Sequence, residues 1–220
     1  MFLEVKNVTK SIHGDVVIKN VCLCSERGRV IGLRGINGSG KTMLMRLISG
    51  LIRPTKGQVL IDGEVVSKDI PFPRSLGVLI EGPAFLDDYS AMDNLKLIAY
   101  PKGKVTEDEI RAVLSEVRLD PKSRKKYKKF SLGMKQRLGI AAAVMEHPDL
   151  ILLDEPTNAL DESGVDMLGD IVKKEKERGA VLIVSSHDRD ILEDISDEIY
   201  DLEQGEIVRH SIKGEKRSEG

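Results

Sequence analysis

The sequence predicts an α/β fold with a mostly parallel central sheet, an N-terminal antiparallel β subdomain and an inserted helical subdomain. Three observations predict it. The octapeptide Gly35-Ile36-Asn37-Gly38-Ser39-Gly40-Lys41-Thr42 fits G-x-x-x-x-G-K-[ST], a pattern that needs a strand before it and a helix after it. The apolar runs Leu150-Ile151-Leu152-Leu153 and Val181-Leu182-Ile183-Val184 show no polar alternation, the mark of parallel strands buried on both faces. Residues 82–146 switch to helical character between two strand-rich stretches, so a helical insertion interrupts one α/β unit. The expected organisation is one domain over 1–220. Core and β subdomain come from 1–81 and 147–210, the helical subdomain from 82–146, and a charged, mobile tail from 211–220.

In chain order, residues 1–30 read as short strands with a turn at His13-Gly14-Asp15. Cys22 and Cys24 share a strand face and read as small buried apolar residues rather than a disulfide or metal pair. Arg29-Val30-Ile31-Gly32-Leu33 is a strand and Thr42-Met43-Leu44-Met45-Arg46-Leu47-Ile48 a helix, so the octapeptide sits where a P-loop NTPase core requires it. Its glycines let successive backbone N–H groups point at one centre, and the helix adds its positive N-terminal end. Lys41 supplies a point charge for β- and γ-phosphates, and Thr42 a hydroxyl for Mg²⁺. Asp62-Gly63 is a hairpin turn. Helices are expected at 90–100 and 107–117, and strands at 198–202 and 206–210 around the turn 203–205.

The strand 150–153 runs into Asp154-Glu155-Pro156. In a doubly wound sheet, ligands gather at the carboxyl ends of the strands, which puts both acids beside the phosphate loop. Asp154 is placed to hold Mg²⁺ through water, and Glu155 to orient or deprotonate the attacking water.

Just upstream lies Phe130-Ser131-Leu132-Gly133-Met134-Lys135-Gln136-Arg137. With this segment the chain resembles the ABC ATPase family across roughly 2–210. The family's L-S-G-G-Q signature falls without gaps on 130–134; Ser131 and Gly133 match it, whereas Phe130, Leu132 and Met134 depart. The resemblance implies that Ser131 and Gly133 bind ATP held by an opposite subunit, and that Ala159-Leu160-Asp161 crosses the dimer interface. A Ser-capped helix serves the residues equally well, and both readings hold together. His187, after the strand 181–184, matches the family's γ-phosphate-contacting histidine, while His13, His147 and His210 read as structural or solvated. By resemblance, Gly35, Asn37, Gly38, Ser39, Gly40, Lys41, Thr42 and Met43 contact ATP, with Ile12 and Val17 beside the adenine. Ile12 stands where many members carry a stacking aromatic; it can cover a base face without π-stacking, and the alternative there is His13. Glu81 stands where the family usually has a glutamine, and is either an anionic ligand near Mg²⁺ or a solvated loop acid. The Glu81 segment and the signature helix together are similar to ATPase subunits of bacterial exporters conferring immunity to lantibiotics and to peptide antibiotics such as bacitracin.

Composition limits the alternatives. With 34 basic and 36 acidic residues and a net charge of −2, nothing draws the whole chain to a polyanion, and no nucleic-acid partner is expected. No apolar run approaches the ~20 residues that span a bilayer, and the first residues lack a signal-peptide pattern. A cytoplasmic chain is expected, and the family resemblance implies an ATPase at the inner face of the membrane, serving a separate integral-membrane permease that docks near 81–93. The expected assembly is a head-to-tail dimer with a second copy or a homologous subunit. The runner-up, a soluble ABC ATPase acting on ribosomes or DNA, calls for a second cassette or a long coiled-coil insertion, and the sequence has neither. The basic run from Arg118 to Lys129 reads as a solvated loop balanced by Glu107, Asp108, Glu109 and Glu116.

Overall fold

The structure, a computed structural model, describes residues 1–101, 103 and 105–214. Strands β1 (Leu3–Ile12) and β2 (Asp15–Ser25) form a long hairpin, where short strands were expected. Next come β3 (Val30–Arg34), α1 (Lys41–Ile48), β4 (Lys56–Ile61), β5 (Glu64–Val65) and β6 (Leu76–Leu79). Asp62 and Gly63 turn between β4 and β5 with φ of 51° and 82°, the left-handed backbone an Asp-Gly hairpin turn requires. Residues 82–146 hold α2 (Ala91–Ala99), α3 (Glu107–Glu116), a short 3₁₀ turn at Tyr127–Lys129 and α4 (Leu132–Val144). Ser90 and Thr106 each begin their helix with a capping box, closed by Asp93 and Glu109. The chain then forms β7 (Leu150–Asp154), α5 (Glu162–Glu177), β8 (Val181–Ser186), α6 (Arg189–Ile195), β9 (Glu198–Glu203) and β10 (Glu206–Ile212).

Two sheets result. The antiparallel one has the order β2-β1-β4-β5; the larger runs β10-β9-β3-β8-β7-β6 and is parallel except for the β9–β10 pair. The apolar runs explain their own packing. Along β7, Leu150 and Leu152 face one core while Ile151 and Leu153 face the other, and β8 divides Val181 and Ile183 from Leu182 and Val184 in the same way. One core encloses Leu44, Met45, Leu47 and Ile48 of α1 between the two sheets. The other joins the large sheet to α2–α5. With both faces covered, the sheet fixes the carboxyl ends of β3, β7 and β8 beside one another.

Three expectations change. Cys22 and Cys24 do share a face of β2, but an exposed one, because Ile18, Val21 and Leu23 take the core side; Cys22 Sγ bonds Asn7 instead. Ser211 and Ile212, expected in a mobile tail, pair with Ile199 and Glu198 at the end of β10, and residues 215–220 lie outside the described residues. Two of the four acids expected to balance the basic run are engaged elsewhere. Glu107 pairs with Lys96 and Arg111, and Glu116 with Lys174, while within the run Lys128 pairs with Asp88.

Candidate nucleotide site

The loop between β3 and α1 is built by its glycines. Gly38 and Gly40 hold φ of 83° and 111°. A Cβ on Gly35 would lie 2.4 Å from the Leu202 carbonyl oxygen, and one on Gly40 would lie 2.9 Å from Ile18 Cδ1. The turn between β9 and β10 braces this loop, since the Gly205 N–H donates to the Ser39 carbonyl at 2.9 Å. Nothing local in the sequence indicates that support.

A cavity of ≈ 590 Å³ opens over the loop, lined by Asn37, Gly38, Ser39, Gly40, Lys41, Thr42 and Met43, and by Val16, Val17, Arg46, Glu81, Glu155 and Gln204. That size suits a small-molecule ligand. Lys41 is only 4 % exposed, and its ammonium donates to the Gly35 carbonyl at 2.6 Å. Of the residues expected beside adenine, Val17 lines the cavity together with Val16, whereas Ile12 and its alternative His13 do not. The β1–β2 turn at His13-Gly14 places Ile12 opposite Asp15, so the first residues of β2 present themselves to the loop instead.

The acids meet the loop from β7. Thr42 Oγ1 donates to Asp154 Oδ2 at 2.6 Å, and Ser185 Oγ of β8 donates to Asp154 Oδ1 at 2.5 Å. Glu155 follows in left-handed backbone, φ 47°. Its Oε2 lies 2.9 Å from His187 Nδ1. Its Oε1 lies 3.3 Å from Lys41 Nζ, within ion-pair range, yet it is buried with no hydrogen-bond partner. Ser39 Oγ is likewise buried and unpartnered. Among the described residues, no group of three or more His, Cys, Asp or Glu side chains is placed to hold a metal by itself. A hydroxyl beside a single buried carboxylate is the donor set for a hard Mg²⁺ that keeps its waters and arrives with phosphate oxygens.

Glu81 lines the same cavity, as the sequence suggested, but its carboxylate is hydrogen-bonded by Arg46 Nη2 of α1. Neither Arg46 nor Gln136 stood out in the sequence. Gln136, on α4, is buried and donates to the carbonyls of Glu155 at 3.3 Å and Pro156 at 3.0 Å, tying the signature helix to the turn that carries Glu155.

Ser131, Gly133 and Asp161 do not line the cavity. Ser131 caps α4, its hydroxyl accepting from the Met134 N–H at 3.2 Å. Gly133 lets α4 approach the following loop, since a Cβ there would sit 2.8 Å from the Ala159 carbonyl oxygen. Asp161 caps α5 and accepts from Arg137 at 2.8 Å. Desolvation pushes its carboxyl up, but the Ser163 hydroxyl, the Gly164 N–H and Arg137 outweigh it and hold the group below the usual carboxylate range.

A phosphate loop after β3, two acids closing β7 and a histidine after β8 define a nucleotide-binding α/β ATPase fold. More narrowly, the chain belongs to the ABC transporter family, whose description matches residues 18–158. It is 45% identical over 205 residues to the ABC transporter ATP-binding protein YybJ of Bacillus subtilis, covering 93% of this chain and 94% of that one. It is 36% identical to the lantibiotic transport ATP-binding protein SrtF of Streptococcus pyogenes, covering 94% and 89%. It is also 36% identical to the bacitracin transport ATP-binding protein BcrA of Enterococcus faecalis, covering 94% and 68%. Among solved structures, a dimeric post-hydrolysis state of the ATP-binding cassette MJ0796 bound to ADP and Pi superposes with a TM-score of 0.86. That match is at 25% identity and covers 97% of this chain and 100% of that one. No helix among the described residues is long and apolar enough to cross a membrane.

Proposed function

We propose that this chain is the ATP-hydrolysing subunit of an exporter. Two copies, or one copy and a homologous subunit, close head to tail around two ATP molecules and drive a separate integral-membrane permease. The observation that carries the hydrolytic part is the Glu155 carboxylate. One of its oxygens is bound by His187, and the other is buried beside Lys41 without a hydrogen-bond partner. With Lys41 drawn to the phosphates, that oxygen becomes the acceptor a water needs as it attacks the γ-phosphorus. The water's proton passes to Glu155, the bond from the γ-phosphorus to the bridging oxygen breaks, and ADP keeps that oxygen's electron pair. Lys41 steadies the charge on the transferring group, and His187 keeps the base oriented.

Thr42 and Asp154 would hold Mg²⁺, which when bound neutralises charge on the β- and γ-phosphates. Glu81 reaches the metal only by parting from Arg46. Asn37, Gly38, Ser39, Gly40 and Met43 cradle the phosphates, with the Gly35 carbonyl anchoring Lys41. Val17 covers the base, without Ile12. Ser131, Gly133 and Asp161 lie outside the cavity, as residues serving a partner's nucleotide must. Their setting supports closure, because Gln136 links the signature helix to the Glu155 turn and so joins one site to the other. The exposed Leu86 and Tyr89 support permease docking at 81–93, which would hold the subunit peripherally at the inner face of the membrane. The likeness to SrtF, a lantibiotic transport protein, and BcrA, a bacitracin transport protein, supports a peptide antibiotic or related compound as cargo.

Phosphate release from the purified protein tests the chemistry. Glu155→Gln should keep ATP binding and lose at least about a hundredfold in turnover, the range of a general base. Wild-type turnover in that variant would remove Glu155 from the role.

A further inference from the structure

Arg46 and Glu81 stand 35 positions apart, on the last turn of α1 and just after β6, and both line the cavity. The Arg46 guanidinium bonds the Glu81 carboxylate, and among the described residues neither side chain has another ion pair. Their side chains are 31% and 61% exposed, so the pair sits at the cavity's rim rather than in the core. Glu81 also leaves β6 in left-handed backbone, φ 64°, which a non-glycine residue seldom adopts. The rim thus carries a carboxylate facing a site for a triphosphate, a placement that repels the ligand unless the charge is cancelled. Arg46 cancels it.

We propose that Arg46 is a positioning residue for Glu81: the ion pair ties the segment after β6 to the P-loop helix and presents the rim as a neutral unit. Glu81 therefore meets the nucleotide through Arg46 and not as a free anion adding to Asp154. This rests on the nucleotide reading of the cavity. It has a consequence that a structural tether lacks. Removing the cation unmasks a negative rim, and removing the anion unmasks a positive one, so the two changes move nucleotide affinity in opposite directions. The effect is larger for the metal-free triphosphate, with about four negative charges, than for its Mg²⁺ complex, with about two.

The test is calorimetric titration of the purified chain with a non-hydrolysable ATP analogue, in EDTA and in saturating Mg²⁺. In EDTA, Arg46→Ala should weaken binding about fivefold and Glu81→Gln should strengthen it by a similar factor, both shrinking to about twofold with Mg²⁺. Arg46→Lys keeps the charge and should stay within about twofold of wild type; the double variant R46A/E81Q should return there as well. In thermal melts, the double variant should lose no more than the larger single loss, the signature of a shared contact. Single variants that shift metal-free affinity in the same direction, or not at all, would overturn the proposal, as would strictly additive melts. Failure of the nucleotide reading looks different: the wild type would not bind the analogue, or Lys41→Ala would bind it equally well.

Discussion

Replacing Gln136 with alanine should uncouple the catalytic turn from the signature helix. Gln136 is 7% exposed, and its amide nitrogen serves two main-chain carbonyls, Pro156 at 3.0 Å and Glu155 at 3.3 Å. Losing the donor leaves the Pro156 oxygen without a partner, a buried acceptor costing ~1–3 kcal/mol, while the Glu155 oxygen keeps the Asn158 N–H at 3.2 Å. One orphaned acceptor and the lost packing are therefore at stake, together roughly 2–3 kcal/mol. For a chain of this size each kcal/mol moves the melting point by ~2–4 °C, so the midpoint should fall by about 5–10 °C. Gln136→Met fills the space without a donor and should recover the packing part alone. Turnover should fall further than stability implies, by about tenfold, because the left-handed turn at Glu155 loses its brace and the carboxylate its placement. Affinity for ATP should hold, since Gln136 does not line the cavity. Thermal melts, phosphate release and nucleotide titration on one preparation measure all three. An unchanged melting point, or a loss of affinity parallel to the loss of turnover, would refute the reasoning.

Other outcomes follow from the same geometry. Lys41→Ala should weaken ATP binding and abolish turnover, measured by titration and phosphate release, because a buried ammonium aimed into the phosphate loop is lost. Ser131→Arg should leave nucleotide affinity of the monomer near wild type but block ATP-dependent dimerisation by size-exclusion chromatography, since Ser131 lies outside the cavity on an exposed helix cap. Ser90→Ala should lower stability by about 1 kcal/mol in urea unfolding at pH 7, the usual cost of an N-cap. The same change should flatten the acid limb. The Ser90 hydroxyl holds the Asp93 carboxyl below the usual carboxylate range, so that stability is present above the ordinary carboxylate pKa and fades as pH falls through the lower folded value.

What could be read from the chain was local or periodic. The phosphate loop, the unalternating runs that became β7 and β8, the Asp62-Gly63 turn and the helices begun by Ser90 and Thr106 each carry their signal within a few residues. The missed features depend on partners distant in sequence. Arg46 looks like any exposed helix residue until β6 delivers Glu81 beside it. Gln136 looks like part of a polar helix start until the turn after β7 passes beneath it. The brace from Gly205 joins residues far apart in the chain. Cys22, Cys24 and Ile12 turned on which face of a long hairpin points inward. The β1–β2 register shifts between Val5 and Val8, Val8 and Lys10, and Lys10 and Ser11, so alternation alone could not assign those faces.

Mass determination by light scattering on Glu155→Gln, with and without Mg²⁺-ATP, tests the central claim most directly. With the amide in place of the carboxylate, bound ATP persists and the closed pair should accumulate. The account predicts a single 24.4 kDa protomer without nucleotide and a species of twice that mass with it. Adding Ser131→Arg to the same chain should return it to the protomer. A protomer under both conditions, with ATP demonstrably bound, would contradict the head-to-tail mechanism.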